Sequence, residues 1–166
     1  MNRLVHFSKK PIQQVRSVIE QKINSKPKGF WFSVEGNGDG WKRWCKARSF
    51  TIGRFEYENE IELESGANIR MLSSVLDIDL FHREFKVPCP GMETWMDRYI
   101  DWRMVAHQYQ GIIISPYIWE RRLDGEAHTW YYSWDCASGC IWDAKAIRAI
   151  KTFKVVMHHG SCEEDT

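Results

Sequence analysis

The hydrophobic pattern changes its period twice within the first 33 residues of the chain. An apolar run at residues 3–7 predicts a first strand. Residues 12–23 carry isoleucine or valine at helical spacing with polar residues between them, and Ser8 followed by Pro11 is a helix-start signal. Residues 30–33 return to aromatic residues that favour strands. The pattern predicts a strand, an amphipathic helix lying on a sheet, and a second strand.

Further along, short strands and helices alternate. Apolar positions two residues apart, with glutamates between them, predict two strands within residues 55–72 that form a hairpin around the turn at 65–68. Helices are predicted at 41–45, with Asp39 as the cap, and at 73–85, 94–109 and 143–147. Strands are predicted at 111–116, 129–134, 140–142 and 153–157. This order predicts the α+β class, as one globular domain over residues 1–158 with a mostly antiparallel central sheet, and a polar C-terminal tail over 159–166.

Composition narrows the class of protein. The 166 residues are 43% hydrophobic and 14% aromatic, which indicates a folded domain. The formal net charge of +1 lacks the overall basic character of a duplex nucleic-acid binder, although a local basic groove remains open. No apolar run approaches the roughly 18 residues that a membrane span needs, and the first residues lack the apolar core of a signal peptide. We therefore expect a cytoplasmic protein with no membrane partner.

The five cysteines form an odd set without CxxC spacing, which favours reduced thiols over a disulfide framework. A zinc site is the alternative, and its possible ligands are Cys136, Cys140, His158, His159 and Cys162. The spacing between Cys136 and Cys140 is loose for a zinc site, so we expect no metal.

Nine tryptophans are far more than a chain of this length usually carries. Each has a large apolar ring and one N–H donor, so most are expected in the core. The same residues make it easy to build an aromatic pocket that stacks a flat heterocycle.

Two segments near the amino end carry a resemblance to a known family. Leu-Val-His-Phe-Ser at residues 4–8, an amphipathic segment, and Gly-Phe-Trp-Phe-Ser at residues 29–33 resemble the NAD pocket of ADP-ribosyltransferases of the diphtheria-toxin and poly-ADP-ribose-polymerase superfamily. The resemblance covers roughly the first 40 residues, and beyond them only the order of strands. It implies that family's fold, NAD as substrate, and transfer of ADP-ribose to a protein or nucleic-acid acceptor, in a microbial, phage or toxin-like protein.

The resemblance also assigns roles to residues. His6 would bind the nicotinamide ribose or its amide, the backbone of Phe7 would clamp the carboxamide, and Ser33 would order the site. Arg121 would meet the pyrophosphate. The aromatic walls of the nicotinamide site would be Phe30, Trp31 and Trp41.

The family's late-strand glutamate is the point at which this sequence departs from the pattern. Residues 130–134 and 140–142 hold no glutamate, and the nearest acid is Asp135, one methylene shorter. Glu120 is the second candidate for the acidic catalytic group. If neither reaches the ribose, the fold would be retained for NAD or nucleotide binding with altered catalysis.

A non-catalytic module is the competing hypothesis. A tryptophan-rich face could stack nucleotides or bases, or pack against a protein partner, and nearby cations could bind phosphate or single-stranded nucleic acid. Those cations are Arg98, Arg103, Arg121, Arg122 and Lys145, beside Trp119. Each of the three proposed site residues also has a purely structural interpretation. His6 could be a core histidine, Ser33 a hydroxyl bonded to the backbone, and Asp135 a turn residue. A hydrolase using Cys136 or Ser138 is not favoured, because no GxSxG motif accompanies them.

Overall fold

The computed structural model describes residues 2–50, 55–88, 99–123 and 128–155. They form one α+β domain, so the predicted class is confirmed. The strands are β1 (Arg3–Ser8), β2 (Ile23–Asn24), β3 (Phe30–Glu35), β4 (Tyr57–Leu63), β5 (Ile69–Leu72), β6 (Lys86–Val87), β7 (Tyr99–Asp101), β8 (Gly111–Ile114), β9 (Ser138–Ile141) and β10 (Ile147–Lys154). The helices are α1 (Trp41–Ala47), α2 (Val75–Phe85), α3 (Trp102–Gln108) and α4 (His128–Tyr131), with 3-10 turns at Trp119–Arg121 and Ala144–Ala146.

Seven strands form the main sheet in the order β10-β4-β1-β3-β9-β8-β5. Every neighbouring pair in it is antiparallel except β5 and β8, which agrees with the predicted mostly antiparallel sheet. A smaller sheet has the order β2-β7-β6. Strands β1 and β3, which carry the resemblance described above, are therefore direct neighbours in the centre of the main sheet.

The main sheet separates between β1 and β3. Their pairing extends from Arg3 opposite Glu35 only to Val5 opposite Ser33. Beyond that point β1 continues to pair with β4 as far as Ser8, while β3 pairs with β9 along the whole of its first part. The two strands therefore diverge while each keeps its other neighbour, and an opening forms between them.

Aromatic residues from the helices fill the core beside this sheet. The rings of Phe81, Phe85, Trp102 and Trp130 lie 5.0 to 6.3 Å from their neighbours in the cluster. Four of the eight tryptophans within the described residues are buried, and three are half-buried. The expectation that tryptophans contribute to the core is met by four of them, and Trp31 packs against that core while partly buried. Each buried ring removes about 150–250 Å² of surface from water.

One glycine leaves room for an aromatic ring of the neighbouring strand. Gly139 of β9 faces Phe32 of β3, and a Cβ atom there would lie 2.4 Å from the Phe32 ring and 2.7 Å from the carbonyl oxygen of Ile112. Any side chain at this position would displace either the ring or the neighbouring strand.

The predicted N-terminal amphipathic helix is wrong. Residues 11–22 have no regular secondary structure, and several of them form hydrogen bonds with groups outside this segment. The amide of Val18 donates to the carbonyl oxygen of Trp142 at 2.7 Å, and the Gln21 side chain binds main-chain groups seven residues later. Ile19 is 93% exposed, so the apolar stripe is not buried as a unit. Long-range contacts outweigh a helix propensity that β-branched residues keep low.

Three further expectations are corrected by tertiary pairing. The strands within 55–72 do not form a hairpin, because β4 pairs with β1 and β10 while β5 pairs with β8. Residues 99–101, expected in a helix over 94–109, form β7, while 94–98 lie outside the described residues. Residues 128–131 are helical where 129–134 was predicted as a strand, because Trp130, Tyr131 and Trp134 all turn into the core.

The remaining helix and strand predictions agree more closely. The predicted strands at 3–7, 30–33 and 111–116 correspond to β1, β3 and β8, and the predicted helix at 73–85 corresponds to α2. Strand β10 begins at Ile147, earlier than predicted, and residues 156–166 lie outside the described part of the chain. No helix among the described residues is long and apolar enough to cross a membrane.

Candidate functional site

The opening between β1 and β3 is a pocket of about 260 Å³. Strands β1, β3 and β9, helix α1 and the chain that precedes β9 all contribute to its wall. The lining residues are Val5, His6, Phe7, Lys26, Trp31, Phe32, Ser33, Trp41, Phe55, Asp135, Cys136 and Ser138. Six residues singled out in the sequence, His6, Phe7, Trp31, Ser33, Trp41 and Asp135, therefore lie around one cavity.

His6 bridges the point at which the strands diverge. Its Nδ1 lies 2.6 Å from the carbonyl oxygen of Trp31, in place of the lost strand pairing. Because a carbonyl oxygen only accepts, Nδ1 carries the hydrogen and the Nε2 of the neutral ring has a free lone pair. Burial lowers the pKa of His6 below its usual value, against an opposing effect of this hydrogen bond. The described residues offer Nε2 no hydrogen-bond partner, so it can accept from a ligand.

Ser33 lines the pocket, but its hydroxyl is used by the fold. Ser33 Oγ accepts from the amide of Trp41 at 2.7 Å and donates to Glu35 Oε1 at 2.7 Å. The same Glu35 oxygen accepts from the amide of Lys42 at 3.2 Å. The two β3 side chains thus cap helix α1, in place of Asp39, whose Oδ2 accepts from the amide of Tyr117. Ser33 orders the site by fixing α1, and Trp41 with it.

Aromatic rings form the sides of the pocket. Trp31 packs on Trp134 with ring centroids 4.8 Å apart, and Trp41 stacks on Trp44 at 4.7 Å with an interplanar angle of 10°. Both lining tryptophans are thus held by a second tryptophan. Phe30 lies outside the pocket lining, where its ring packs against His6 at 4.6 Å. Its contribution is to hold the imidazole.

Asp135 supplies a carboxylate to the pocket, and Arg122 anchors it. Arg122 Nη2 donates to Asp135 Oδ1 at 3.2 Å, while Nη1 donates to Tyr117 Oη at 2.9 Å and to the carbonyl oxygen of Trp134 at 3.2 Å. The guanidinium lies 5.1 Å from the Tyr132 ring centroid. Asp135 Oδ2 has no hydrogen-bond partner among the described residues, so one carboxylate oxygen is held and the other is available.

Lys26 is a cation of this pocket that sequence reasoning missed. Its Nζ lies 5.3 Å from the ring centroid of Trp31, a cation–π geometry. Burial lowers its pKa, and the negative charge of Asp135 partly opposes that shift. Lys26 belongs to the Lys-Pro-Lys-Gly segment at residues 26–29, and no periodicity there indicates that one of its lysines faces a cavity. Phe55 was assigned to a strand and likewise not to the site.

Cys136 and Ser138 line the pocket without the features of a nucleophile. Burial, with the nearby charge of Asp135, raises the pKa of the Cys136 thiol to about 12. Ser138 Oγ donates to the carbonyl oxygen of Cys136 at 2.9 Å. No hydrogen bond within the described residues joins either side chain to His6. Neither Cys136 nor Ser138 therefore has the surroundings of an activated nucleophile.

Glu120 and Arg121 lie away from the pocket. Glu120 is exposed on the 3-10 turn at Trp119–Arg121. Arg121 Nε donates to Asp79 Oδ1 of helix α2 at 2.7 Å. Of the other cations proposed to form a binding patch, Arg103 pairs with Asp101, and Arg98 lies outside the described residues. Of the two candidate acids, the structure brings only Asp135 to His6 and Ser33.

Comparison of the chain with protein-family models, curated protein sequences and solved structures finds no match. Within the described residues, no group of three or more histidine, cysteine or acidic side chains is placed to hold a metal ion. His158, His159 and Cys162 of the zinc alternative lie outside those residues. The pocket between β1 and β3 is therefore the basis of the function proposed below.

Proposed function

We propose that this protein is an NAD-dependent ADP-ribosyltransferase-like protein with the fold of that superfamily, and that the pocket between β1 and β3 holds the nicotinamide end of NAD. The observation that carries the proposal is the convergence of His6, Ser33 and Asp135 on one aromatic cavity. They come from β1, from β3 and from the segment before β9, so local sequence does not force them together.

The size and walls of the pocket suit this end of the substrate. About 260 Å³ is just below the roughly 300–1,000 Å³ of pockets that bury a drug-sized ligand, so a nicotinamide ring with its ribose fits and the rest of NAD lies outside. Nicotinamide in NAD is a flat cation, which aromatic faces such as Trp31 and Trp41 bind favourably. His6 Nε2 accepts from a ribose hydroxyl or from the carboxamide, and Lys26 provides a positive charge for the diphosphate.

The chemistry requires positioning and one negative charge more than a strong nucleophile. The bond between nicotinamide and C1′ of the ribose breaks, and its electron pair leaves on the nicotinamide nitrogen. The sugar then resembles an oxocarbenium ion, which the carboxylate of Asp135 stabilises. An acceptor atom bonds to C1′ and releases its proton to solvent. Arg122 keeps Asp135 in place, so the negative charge needs little reorganisation during the reaction.

The competing binding module has less support. Only Trp119 among the described tryptophans is exposed, at 59%, so these tryptophans do not form a continuous exposed face. The proposed cation patch is also divided, since Arg121 and Arg103 pair with aspartates of two different elements. A pocket with aromatic walls, a histidine, a carboxylate and a lysine favours a small-molecule substrate.

The decisive experiment measures NAD binding by isothermal titration and nicotinamide release in the same sample. Asp135→Asn should lower the rate of release about 100-fold or more while leaving the melting temperature close to that of the wild type. Glu120→Gln is the matched control, because it makes the same acid-to-amide change outside the pocket, and its rate should stay within about twofold. Absence of both heat and nicotinamide at millimolar NAD would refute the proposal.

The pH profile tests the role of His6. The proposed acceptor role requires the neutral ring, and burial places its pKa below the usual value of about 6.5. We expect kcat/KM for NAD to be flat above that pH and to decrease at lower pH as His6 becomes protonated. His6→Gln should remove this inflection while retaining part of the activity through its amide oxygen. An unchanged profile in His6→Gln would show that another group titrates.

A further inference from the structure

A basic groove runs beside helix α1, next to the pocket. It has a volume of about 780 Å³, and its lining residues are Lys42, Arg43, Cys45, Lys46, Ser49 and Phe50. Cys45 is buried, whereas the three cations and Phe50 are exposed. The groove therefore presents positive charge and one aromatic ring to solvent.

The positive charge of this groove is mostly uncompensated. Residues 42–48 contain four cations and no acid, although the rest of the chain is net acidic. Lys42 Nζ pairs with Glu58 Oε1 at 2.5 Å. Arg43, Lys46 and the adjacent Arg48 make no ion pair with any described residue. These three cations remain available to an anionic partner.

The lining side chains of the groove contact those of the pocket. Phe50 lies with its ring centroid 5.7 Å from that of Trp41, which lines the pocket. Lys42 Nζ lies 5.6 Å from the ring centroid of Phe7, on another wall of the pocket. The groove is therefore one side-chain contact away from the pocket proposed to hold the ribose.

We propose that the groove along α1 binds single-stranded nucleic acid and that this nucleic acid is the acceptor of ADP-ribose; the acceptor role rests on the function proposed above. Regularly spaced phosphates match cations on successive turns of α1, and Phe50 offers a stacking face for a base. A single strand is favoured because a base within a duplex would first have to leave its stack to approach C1′.

The transfer step balances without another reactant. A nitrogen or oxygen of the base forms a bond to C1′, and the bond between C1′ and nicotinamide breaks. Nicotinamide leaves with the electron pair, and the proton of the base atom passes to solvent. The products are an ADP-ribosylated strand and nicotinamide.

Fluorescence anisotropy of a labelled single-stranded oligonucleotide of about 12 nucleotides tests binding without NAD. Three phosphate contacts predict a slope of about −2 for log affinity against log salt. Arg43→Gln combined with Lys46→Gln should weaken binding about tenfold near 50 mM salt and reduce the slope to about −1. Arg148→Gln combined with Lys151→Gln, which removes the same charge from β10, is the matched control and should change binding less than twofold.

Several results would overturn the groove assignment. Oligonucleotide binding that is absent at low salt, or equal in the two double variants, would exclude it. Equally strong binding of polyglutamate would indicate an acidic polypeptide as the partner. A raised KM for NAD in Arg43→Gln with Lys46→Gln would show that the groove holds NAD instead.

Transfer from NAD labelled in its adenine separates failure of the acceptor role from failure of the proposed function. Nicotinamide release together with label on the oligonucleotide supports both. Nicotinamide release with no label on the oligonucleotide overturns the acceptor role alone. If no nicotinamide is released, the proposed transferase function fails and the acceptor role fails with it, while the anisotropy result still decides whether the groove binds nucleic acid.

Discussion

Two consecutive arginines serve two different regions of the molecule. Arg122 turns toward the pocket, where it binds Asp135, the Trp134 carbonyl oxygen and Tyr117. Arg121 turns toward helix α2, where it pairs with Asp79. Both guanidiniums hold an aspartate, and Asp135 is the one that lines the pocket between β1 and β3.

The difference lies in the surroundings of each pair. The Arg122 guanidinium lies against aromatic rings and binds a carbonyl oxygen and a phenol as well as the carboxylate. Its loss would leave Asp135 Oδ1 and Tyr117 Oη without this donor. The pair of Arg121 with Asp79 ties a 3-10 turn to a helix, and both side chains are partly exposed. An ion pair of that kind adds little stability in water. The first pair serves the proposed chemistry, and the second only the fold.

The largest expected effect comes from exchanging Arg122 for glutamine, and the same exchange at Arg121 is its counterpart. Arg122→Gln should reduce nicotinamide release about tenfold or more, because Asp135 loses its anchor, and should lower the free energy of unfolding by about 1–3 kcal/mol. Arg121→Gln should cost at most about 1 kcal/mol and leave release unchanged. Urea denaturation and the nicotinamide assay measure both quantities. Equal losses of activity in the two variants would contradict the division of roles.

A smaller effect is expected from Tyr117→Phe. The hydroxyl of Tyr117 accepts from Arg122 and donates to the carbonyl oxygen of Trp134, so its removal loosens the Arg122 network without removing a charge. We expect the free energy of unfolding to fall by about 1 kcal/mol and the rate of nicotinamide release to fall roughly threefold. Tyr132→Phe, at an exposed ring, is the control. A fully active Tyr117→Phe variant would show that Arg122 holds Asp135 without help.

The smallest effect is expected from Asp79→Asn. Pairing with Arg121 lowers the pKa of Asp79 below its unfolded value of about 3.9. The stabilisation is therefore present above that value and is lost as the pH falls through the folded pKa. The wild type should exceed the variant in stability at pH 7 by less than about 1 kcal/mol, and the difference should shrink near pH 3. Urea denaturation at the two pH values measures it, and a difference that grows in acid would exclude this account.

The sequence predicted elements well where local signals and burial agree. In α2, Ser74 accepts from the amide of Asp77 at the start, and Ile78, Phe81 and Phe85 are buried at helical spacing. Residues 12–23 have a similar spacing of apolar positions, yet Ser17 and Val18 form hydrogen bonds with Asp143 and Trp142, more than 100 residues away. The spacing of apolar residues within a segment does not reveal hydrogen-bond partners that lie far along the chain.

The region at 128–134 is ambiguous in the sequence. Its aromatic residues at 130, 132 and 134 fit the period of a strand, and those at 130, 131 and 134 fit the period of a helix. In the structure Trp130, Tyr131 and Trp134 are buried while Tyr132 is 52% exposed, so tertiary packing selects the helical pattern.

The lining of the pocket also contains residues that the sequence indicates and residues that it does not. His6, Ser33 and Asp135 are candidates in the sequence because strand position and an acid next to a strand are visible there, and all three line the pocket. Lys26 and Phe55 belong to segments without period, so the sequence does not indicate which way they face. Arg121 and Arg122 are indistinguishable by composition, and only tertiary contacts decide which of them faces the pocket.

The hydrogen bonds by which Ser33 and Glu35 cap α1 also fix one end of the loop that joins β3 to this helix. The other end is fixed by the contact of Asp39 with Tyr117, while residues 36–38 are exposed. A Cβ atom at Gly38 would lie 3.4 Å from Arg43 Nη1, so the exposed tip of the loop is beside the basic groove. A fluorophore attached to a cysteine introduced at Asn37 would therefore serve as an optical sensor of anions that bind along α1.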